Sequence, residues 1–267
     1  MNFSGKVAIV TGGASGIGRA ASLEFLKHNA AVAVVDRDEL LGRKLEQETA
    51  CERLRFFSAD LSSAREVAEL VPKIVTTFGG VDVLVSNAGI QTYGSATTTS
   101  EAEWDRTLAA NLKSGFLISK YSIPHMIKRG GGSIVITASV QSLGAQRNSM
   151  AYVVSKHALI GLMRSMALDY AKDNIRVNAV CPGAIDTPML RWAASLDEDP
   201  ERVIAACHKM HPVGHMGKPE EVAQVIAFLA SDLASFVTGT AVTADGGLMI
   251  PIGGMSFQES GTGARNA

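Results

Sequence analysis

Short apolar runs of strand length recur along the whole chain, each followed by a stretch with helical spacing. The runs cover 6–11, 31–36, 53–58, 81–86, 132–138, 175–180 and 240–244. Helical patterns occupy roughly 17–28, 38–50, 63–78, 101–129, 150–173 and 219–231. Within the runs, as in VAIV at 7–10 and AAVAVV at 30–35, apolar residues follow one another without alternation. A strand exposed on one face alternates apolar with polar residues, so unbroken apolar strands belong to a sheet covered on both sides. Parallel strands also need long crossovers, which the intervening helices supply. The pattern predicts an α/β fold, a doubly wound parallel seven-stranded sheet, in a single domain over residues 1–250. Residues 188–217 break the rhythm and carry Pro200, Pro212 and three histidines, which reads as a substrate lid over one end of the sheet. Residues 251–267 are rich in Gly and Ser and read as a C-terminal tail.

Composition narrows the partners. The 267 residues are 46% apolar, enough for a large core, and 19% charged. Lys and Arg total 25 against 26 Asp and Glu, so no basic excess exists to bind a phosphate backbone, and no nucleic acid partner is expected. The longest apolar runs fall well short of the roughly 18 residues of a membrane span, so no membrane partner is expected. Cys51, Cys181 and Cys207 are odd in number and lack metal spacing, which suits free thiols in a reducing compartment and no metal site. A strand-like run begins at Lys6 and leaves no room for a signal peptide, so a cytoplasmic protein is expected.

The first run leads into TGGASGIG (11–18) and then a helical pattern. A tight turn out of a strand, a close approach of backbone to phosphate, and close helix–sheet contact each require a residue without a Cβ. Gly12, Gly16 and Gly18 stand where these demands fall, and the helix start offers free N–H groups to a pyrophosphate. A purely structural turn is the alternative, although the strand-before, helix-after context favours the Rossmann reading. The second run ends in Asp36, 18 residues beyond Gly18. An acid there accepts from both ribose hydroxyls of NAD and repels the 2′-phosphate of NADP; alternatively it caps the next helix. Arg37 could stack on adenine or accept a phosphate. Asp60, followed by Leu61, could meet an adenine amino group or cap a helix. Asn87, Ala88 and Gly89 are small enough to let backbone lie against a flat ring, as an ordinary turn also would be.

Ser139 directly follows the fifth run, and Tyr152 and Lys156 lie four residues apart on one helix face. A phenol of pKa near 10 is a poor acid–base catalyst at neutral pH. An adjacent ammonium is expected to favour the phenolate and lower that value. A nearby serine hydroxyl can hold a carbonyl or alcohol oxygen, which gives one group for proton transfer, one to tune it and one to orient substrate.

Together these residues resemble the short-chain dehydrogenase/reductase family in its single-domain form. The resemblance covers about residues 5–250 and rests on TGGASGIG, Asp60, SNAG (86–89), Asn111, Ser139, YVVSK (152–156), PG (182–183), Thr187 and DGG (245–247). Ser86 departs from the family, which more often has Asn there. The resemblance implies that Tyr152 is the general acid/base and that Ser139 holds the substrate oxygen. Lys156 would lower the Tyr152 pKa and bind the nicotinamide ribose, and Asn111 would help hold a proton-relaying water. It implies cofactor contacts from Gly12, Ser15, Gly16, Ile17, Gly18, Asp36, Arg37, Asp60, Leu61, Asn87, Ala88, Gly89, Tyr152 and Lys156. Pro182, Gly183, Ile185 and Thr187 would meet the nicotinamide end, and Asp245–Gly247 would be structural. Relatives that prefer NADP often carry a basic residue where this chain has Ser15, so NAD is the expected cofactor. A homotetramer is implied, pairing helices 101–129 and 150–173, whose Phe116, Leu117, Ile118, Leu159, Leu162 and Met166 are more apolar surface than one sheet face needs.

The expected activity is hydride transfer between NAD(H) and a secondary alcohol or carbonyl. A non-catalytic NAD sensor is the reading from another class, but it would be expected to lose Ser139, Tyr152 or Lys156. Residues at the substrate end (Gln91, Gln141, Gln146, Asn148, Arg191, Trp192, His208 and His211) are rich in amides and imidazoles. A site so lined suits a sugar or polyol, because an apolar ligand would leave buried polar groups unpaired. Hydroxysteroids or other apolar alcohols and ketones are the alternative.

Overall fold

The computed structural model describes residues 1–251; the tail expected at 251–267 lies outside them apart from Pro251. Seven strands form one parallel sheet: β1 (Val7–Thr11), β2 (Ala31–Asp36), β3 (Leu54–Ser58), β4 (Val83–Ser86), β5 (Gly132–Thr137), β6 (Ile175–Pro182) and β7 (Ala241–Ala244). Their order in the sheet is β3-β2-β1-β4-β5-β6-β7. The direction of winding reverses between β1 and β4, and the crevice beyond the carboxyl ends of strands at such a point is where α/β sheets bind ligands.

Unbroken apolar strands are explained by two cores, one on each face. Val32, Val34, Ala8 and Val10 point towards α1 (Gly16–Lys27), α2 (Glu39–Thr49) and α9 (Pro219–Ala230), where they meet Ala21, Phe25, Leu45 and Ile226. Ile9, Leu84, Ile134 and Ile136 point the other way. They meet Val67 and Ile74 of α3 (Ala64–Phe78), Ile118 of α5 (Ser114–Lys128) and Leu159 and Met163 of α6 (Met150–Asp169). Successive residues of one strand thus enter opposite cores, as a period of two requires.

Two spans differ from the expected helices. The 101–129 pattern is α4 (Glu101–Leu108), a π turn (Ala109–Lys113) and α5, without a break in the rod. The 150–173 pattern ends as α6 at Asp169, followed by a 3₁₀ turn (Ala171–Asp173). Residues 188–217 hold two short helices, α7 (Pro188–Ala194) and α8 (Pro200–Lys209). Thr187 and Asp199 cap them, each accepting from a backbone N–H three residues on, and proline fills each first helical position. The two ends of this excursion meet, with Gly217 donating to Ala184 O (3.0 Å) and Asp186 to Gly217 O (2.9 Å). Among the described residues, no helix is long and apolar enough to cross a membrane.

Candidate active site

A cleft of about 410 Å³ runs along the carboxyl ends of the strands. Gly12, Ser15, Gly16 and Ile17 form its wall on the glycine turn. Gly12 sits at φ +61°, in the left-handed region where a Cβ is strained, and a Cβ there would also press on Ala88 at 3.0 Å. Gly18 does not line the cleft; a Cβ on it would collide with the Gly12 carbonyl, so it is the residue that lets α1 close onto the turn. Ser15, at the start of α1, makes no side-chain cap, which leaves the first-turn N–H groups to the cleft. Asn87 ties the loop after β4 to this turn: its Nδ2 donates to Thr11 O (3.1 Å) and its N–H to Thr11 Oγ1 (2.8 Å). Thr11, to which the sequence assigned no role, also accepts from Ala88 N–H (3.1 Å) and so organises both loops.

At one end lie Asp36, Arg37, Asp60 and Leu61. Asp36 does not cap α2; Asp38 does, accepting from Leu41 N–H at 3.0 Å. Asp36 instead accepts from Ala14 N–H (3.2 Å) and Asp38 N–H (3.1 Å), one on each carboxylate oxygen, with lone pairs remaining towards the cleft. Asp60 accepts from the backbone and hydroxyl of Ser62 (2.9 and 2.8 Å), while Ser63 caps α3. Those bonds hold the Asp60 carboxyl below the usual range, with the Arg37 charge adding to them.

At the other end, Ser139, Tyr152 and Lys156 line the cleft together with Pro182, Gly183, Ile185, Thr187, Ala88, Gly89 and Gln91. Ser139 is extended at the end of β5, and its Oγ accepts from Gln141 N–H at 3.1 Å. That bond uses the oxygen as acceptor and leaves the hydroxyl proton to be donated into the cleft. Lys156 is 95% shielded and donates from Nζ to Thr137 O at 2.9 Å. Burial pushes its pKa down to about 8. Burial likewise pushes the Tyr152 phenol up to about 12, with the Ser139 hydroxyl pulling the other way. The expected lowering of Tyr152 by Lys156 is therefore not what this structure shows. With Lys156 turned onto a carbonyl in a dry site, desolvation of the phenolate outweighs the attraction of the ammonium.

Asn111 stands behind the cleft, in the π turn. Its Oδ1 accepts from Ile90 N–H (2.7 Å), and its Nδ2 donates to Ile90 O (3.0 Å) and Ser155 Oγ (2.9 Å). Both amide hydrogens are committed, so the side chain is a strut joining the π turn, the loop after β4 and α6. A Cβ on Gly89 would come within 3.1 Å of Asn111 Oδ1 and 3.8 Å of Lys156 Nζ, which places Gly89 between them.

The expected polar substrate lining is corrected in most of its members. Gln141 and Gln146 bond to each other (2.7 Å), Arg191 pairs with Asp186 (2.7 Å), and Asn148 sits at a loop corner with φ +52°. His208 Nδ1 accepts from Met216 N–H. His211 is buried, accepting from Ala184 N–H at Nε2 (3.1 Å) and donating from Nδ1 to Cys207 O (2.7 Å). Most of these groups are thus turned onto neighbours of their own; of them only His211 is buried, and Gln141 Oε1 has no partner. Of the polar set Gln91 alone faces the cleft, while Pro188, Met189 and Leu190, which the sequence did not single out, give it an apolar side. Trp192 lies against Tyr93, ring centroids 6.3 Å apart and tilted by 30°.

An uncapped helix start beside a glycine cradle, an acid at the second strand end, and a buried Tyr–Lys pair with a serine hydroxyl define a dinucleotide-binding oxidoreductase. A family model described as enoyl-(acyl carrier protein) reductase matches residues 12–249. An oxidoreductase of Thermotoga maritima is 41% identical over 92% of this chain and 98% of its own. The cyclohexanol dehydrogenase of an Acinetobacter species is 37% identical over 91% of this chain and 95% of its own. The structure of the aldohexose dehydrogenase of Thermoplasma acidophilum superposes with a TM-score of 0.88 at 40% identity, covering 95% of this chain and 98% of that one. The chain belongs to the short-chain dehydrogenase/reductase family, oxidoreductases that act on alcohols and ketones with nicotinamide cofactors.

Proposed function

We propose that the protein is an NAD-dependent dehydrogenase of a six-membered ring bearing a secondary alcohol, with a sugar in its cyclic form or a cyclic polyol as the first candidate. The convergence of Ser139, Tyr152 and Lys156 at one end of a cleft whose other end presents Asp36 carries this reading. Gly12, Gly16, Asp36, Asn87–Gly89, Lys156 and Pro182–Thr187 hold the dinucleotide. When bound, it accepts or supplies a hydride at C4 of the nicotinamide. Ser139 donates to the substrate oxygen, and Tyr152 takes the hydroxyl proton as the carbonyl forms, or returns it in reduction. Lys156 supplies the positive charge next to the phenol, and residues 188–217 cover the substrate. The ring preference is supported by two relatives named for cyclohexanol and for aldohexoses, and by the Tyr93–Trp192 wall. The apolar side formed by Pro188, Met189 and Leu190 keeps apolar cyclic alcohols as the second reading. An NAD-reduction screen across aldoses, cyclic polyols, cycloalkanols and hydroxysteroids tests the activity; no turnover in any class sinks it.

For the cofactor, NAD is expected to exceed NADP by at least about tenfold in kcat/KM, a difference of about 1.4 kcal/mol. Asp36→Ala narrows the gap by removing both the ribose acceptor and the repulsion. Steady-state rates with both cofactors check this, and an NADP preference in the wild type overturns it.

A homotetramer is proposed with a revised set of contacts. Leu117, Ile118, Leu159 and Met166 face the chain's own core, whereas Phe116 and Val154 stay exposed on α5 and α6. Light scattering at micromolar concentration is expected to give the mass of four chains; a monomer overturns the assembly.

A further inference from the structure

Tyr93 is fixed from both sides although it lies in a loop. Gly94 N–H donates to Asn148 O (2.8 Å) and Met150 N–H to Gly94 O (3.1 Å), which fastens the loop to the start of α6, two residues before Tyr152. On the other side, the Thr92 and Thr107 hydroxyls bond at 3.0 Å, and Ser149 Oγ donates to Thr92 O at 3.4 Å. Gln91, a lining residue of the cleft, donates from Nε2 to the Tyr93 oxygen at 3.0 Å. The phenol oxygen is thereby used as acceptor, and its own proton is left to be donated. Partial burial raises the Tyr93 pKa, so the proton stays in place at working pH. The ring meets Trp192 of α7, within the centroid range of 4.5–7 Å of interacting aromatic pairs.

We propose that Tyr93 is a specificity-determining residue whose hydroxyl, set by Gln91, donates to a second oxygen on the substrate ring while the Tyr93–Trp192 wall takes the ring's face. The inference rests on the ring-alcohol reading above and deepens it: a ring with two oxygens is preferred to the same ring with one. An acceptor on the substrate takes up the proton of a phenol whose oxygen already accepts from Gln91. Tyr93 is 38% exposed, so a mono-alcohol leaves that donor to water and gains no bond there, whereas a diol gains one.

The experiment compares cyclohexanol with 1,2-, 1,3- and 1,4-cyclohexanediol in wild type and Tyr93→Phe. Turnover is read by NAD reduction and binding by Trp192 fluorescence with saturating NAD, in a Trp104→Phe background that leaves one tryptophan. The best diol is expected to exceed cyclohexanol by at least about tenfold in kcat/KM and in affinity, one hydrogen bond's worth. Tyr93→Phe, which keeps the wall and removes the hydroxyl, is expected to lower the diol values about tenfold, mainly through KM, and to leave cyclohexanol within about threefold. Equal handling of diol and mono-alcohol by the wild type overturns the inference, as does a preference that survives Tyr93→Phe. So does failure of every compound to perturb Trp192. Selective binding that Tyr93→Phe abolishes, without turnover of any alcohol, upholds the role of Tyr93 and overturns the proposed activity instead.

Discussion

Tyr152→Phe is expected to lower kcat/KM by at least about 100-fold, the lower range for a lost general acid/base, and to leave NADH affinity within a few-fold of wild type. The phenyl ring keeps the packing of a residue that is almost fully buried in the first turns of α6, so the fold and the cofactor cleft persist. What disappears is the hydroxyl proposed to exchange a proton with a substrate oxygen held by Ser139. NADH fluorescence titration and steady-state kinetics on the same preparation separate the two effects. Because burial holds the phenol near pKa 12 in the free protein, it is a proton donor at neutral pH. Alcohol oxidation needs the deprotonated form, so the wild-type oxidation rate is expected to climb through the alkaline range. In Tyr152→Phe that climb disappears, and near-normal turnover in the variant would remove Tyr152 from the chemistry.

Lys156→Met is expected to lower turnover by about 100-fold, as loss of a charged partner of the general acid/base, and to change how stability depends on pH. The Lys156 pKa falls from 10.5 to about 8 on folding because burial penalises the ammonium. Between these values the unfolded chain binds more protons than the folded one, so stability rises with pH. The contribution is complete above 10.5 and lost as pH falls to about 8; over that window it amounts to about 3 kcal/mol. Tyr152 acts in the opposite sense, but only from 10 to about 12, so Lys156 dominates this pair from pH 8 to 10. Urea unfolding at pH 8, 9 and 10 is expected to show the rise in wild type and a flatter profile in Lys156→Met. An unchanged slope in the variant would place the titrating group elsewhere.

The strands were legible because burial on two faces leaves a local mark: an uninterrupted run such as Val7–Val10 has few other uses. Gly12, Asp36 and the Tyr152–Lys156 pair were legible because turn strain, strand-end chemistry and helical spacing each act over a few residues. The π turn left no such mark. Ala109–Lys113 reads AANLK, with no glycine or proline, and its conformation is held by contacts of Asn111 to Ile90 and Ser155 that are remote in sequence. The polar substrate lining misled for a related reason. Composition shows that Gln141, Gln146, Arg191 and His211 are polar, but their partners depend on where the loops fold. Trp192 was legible as a residue of the substrate end, but Tyr93 and the pairing of the two rings were not, because 99 residues separate them and neither belongs to a periodic pattern.

The π turn also makes the length of this segment as consequential as its composition. Relative to an ideal α-helix, such a turn accommodates one extra residue in the rod, and each residue of an α-helix advances the rotation by about 100°. Deleting a single position between Ala109 and Lys113 would let α4 and α5 merge into a regular helix with little rotation of one against the other, because the wide turn is what absorbs the extra residue. Ile118 and Met126 would keep facing the sheet and Thr107 its partner Thr92, but the bonds of Asn111 to Ile90 and Ser155 would lose the displaced backbone that places them. The same deletion inside α4 or α5, where no wide turn absorbs it, would turn one half of the rod against the other by about 100°. In engineering this scaffold, where a residue is removed from the rod therefore matters more than which residue it is.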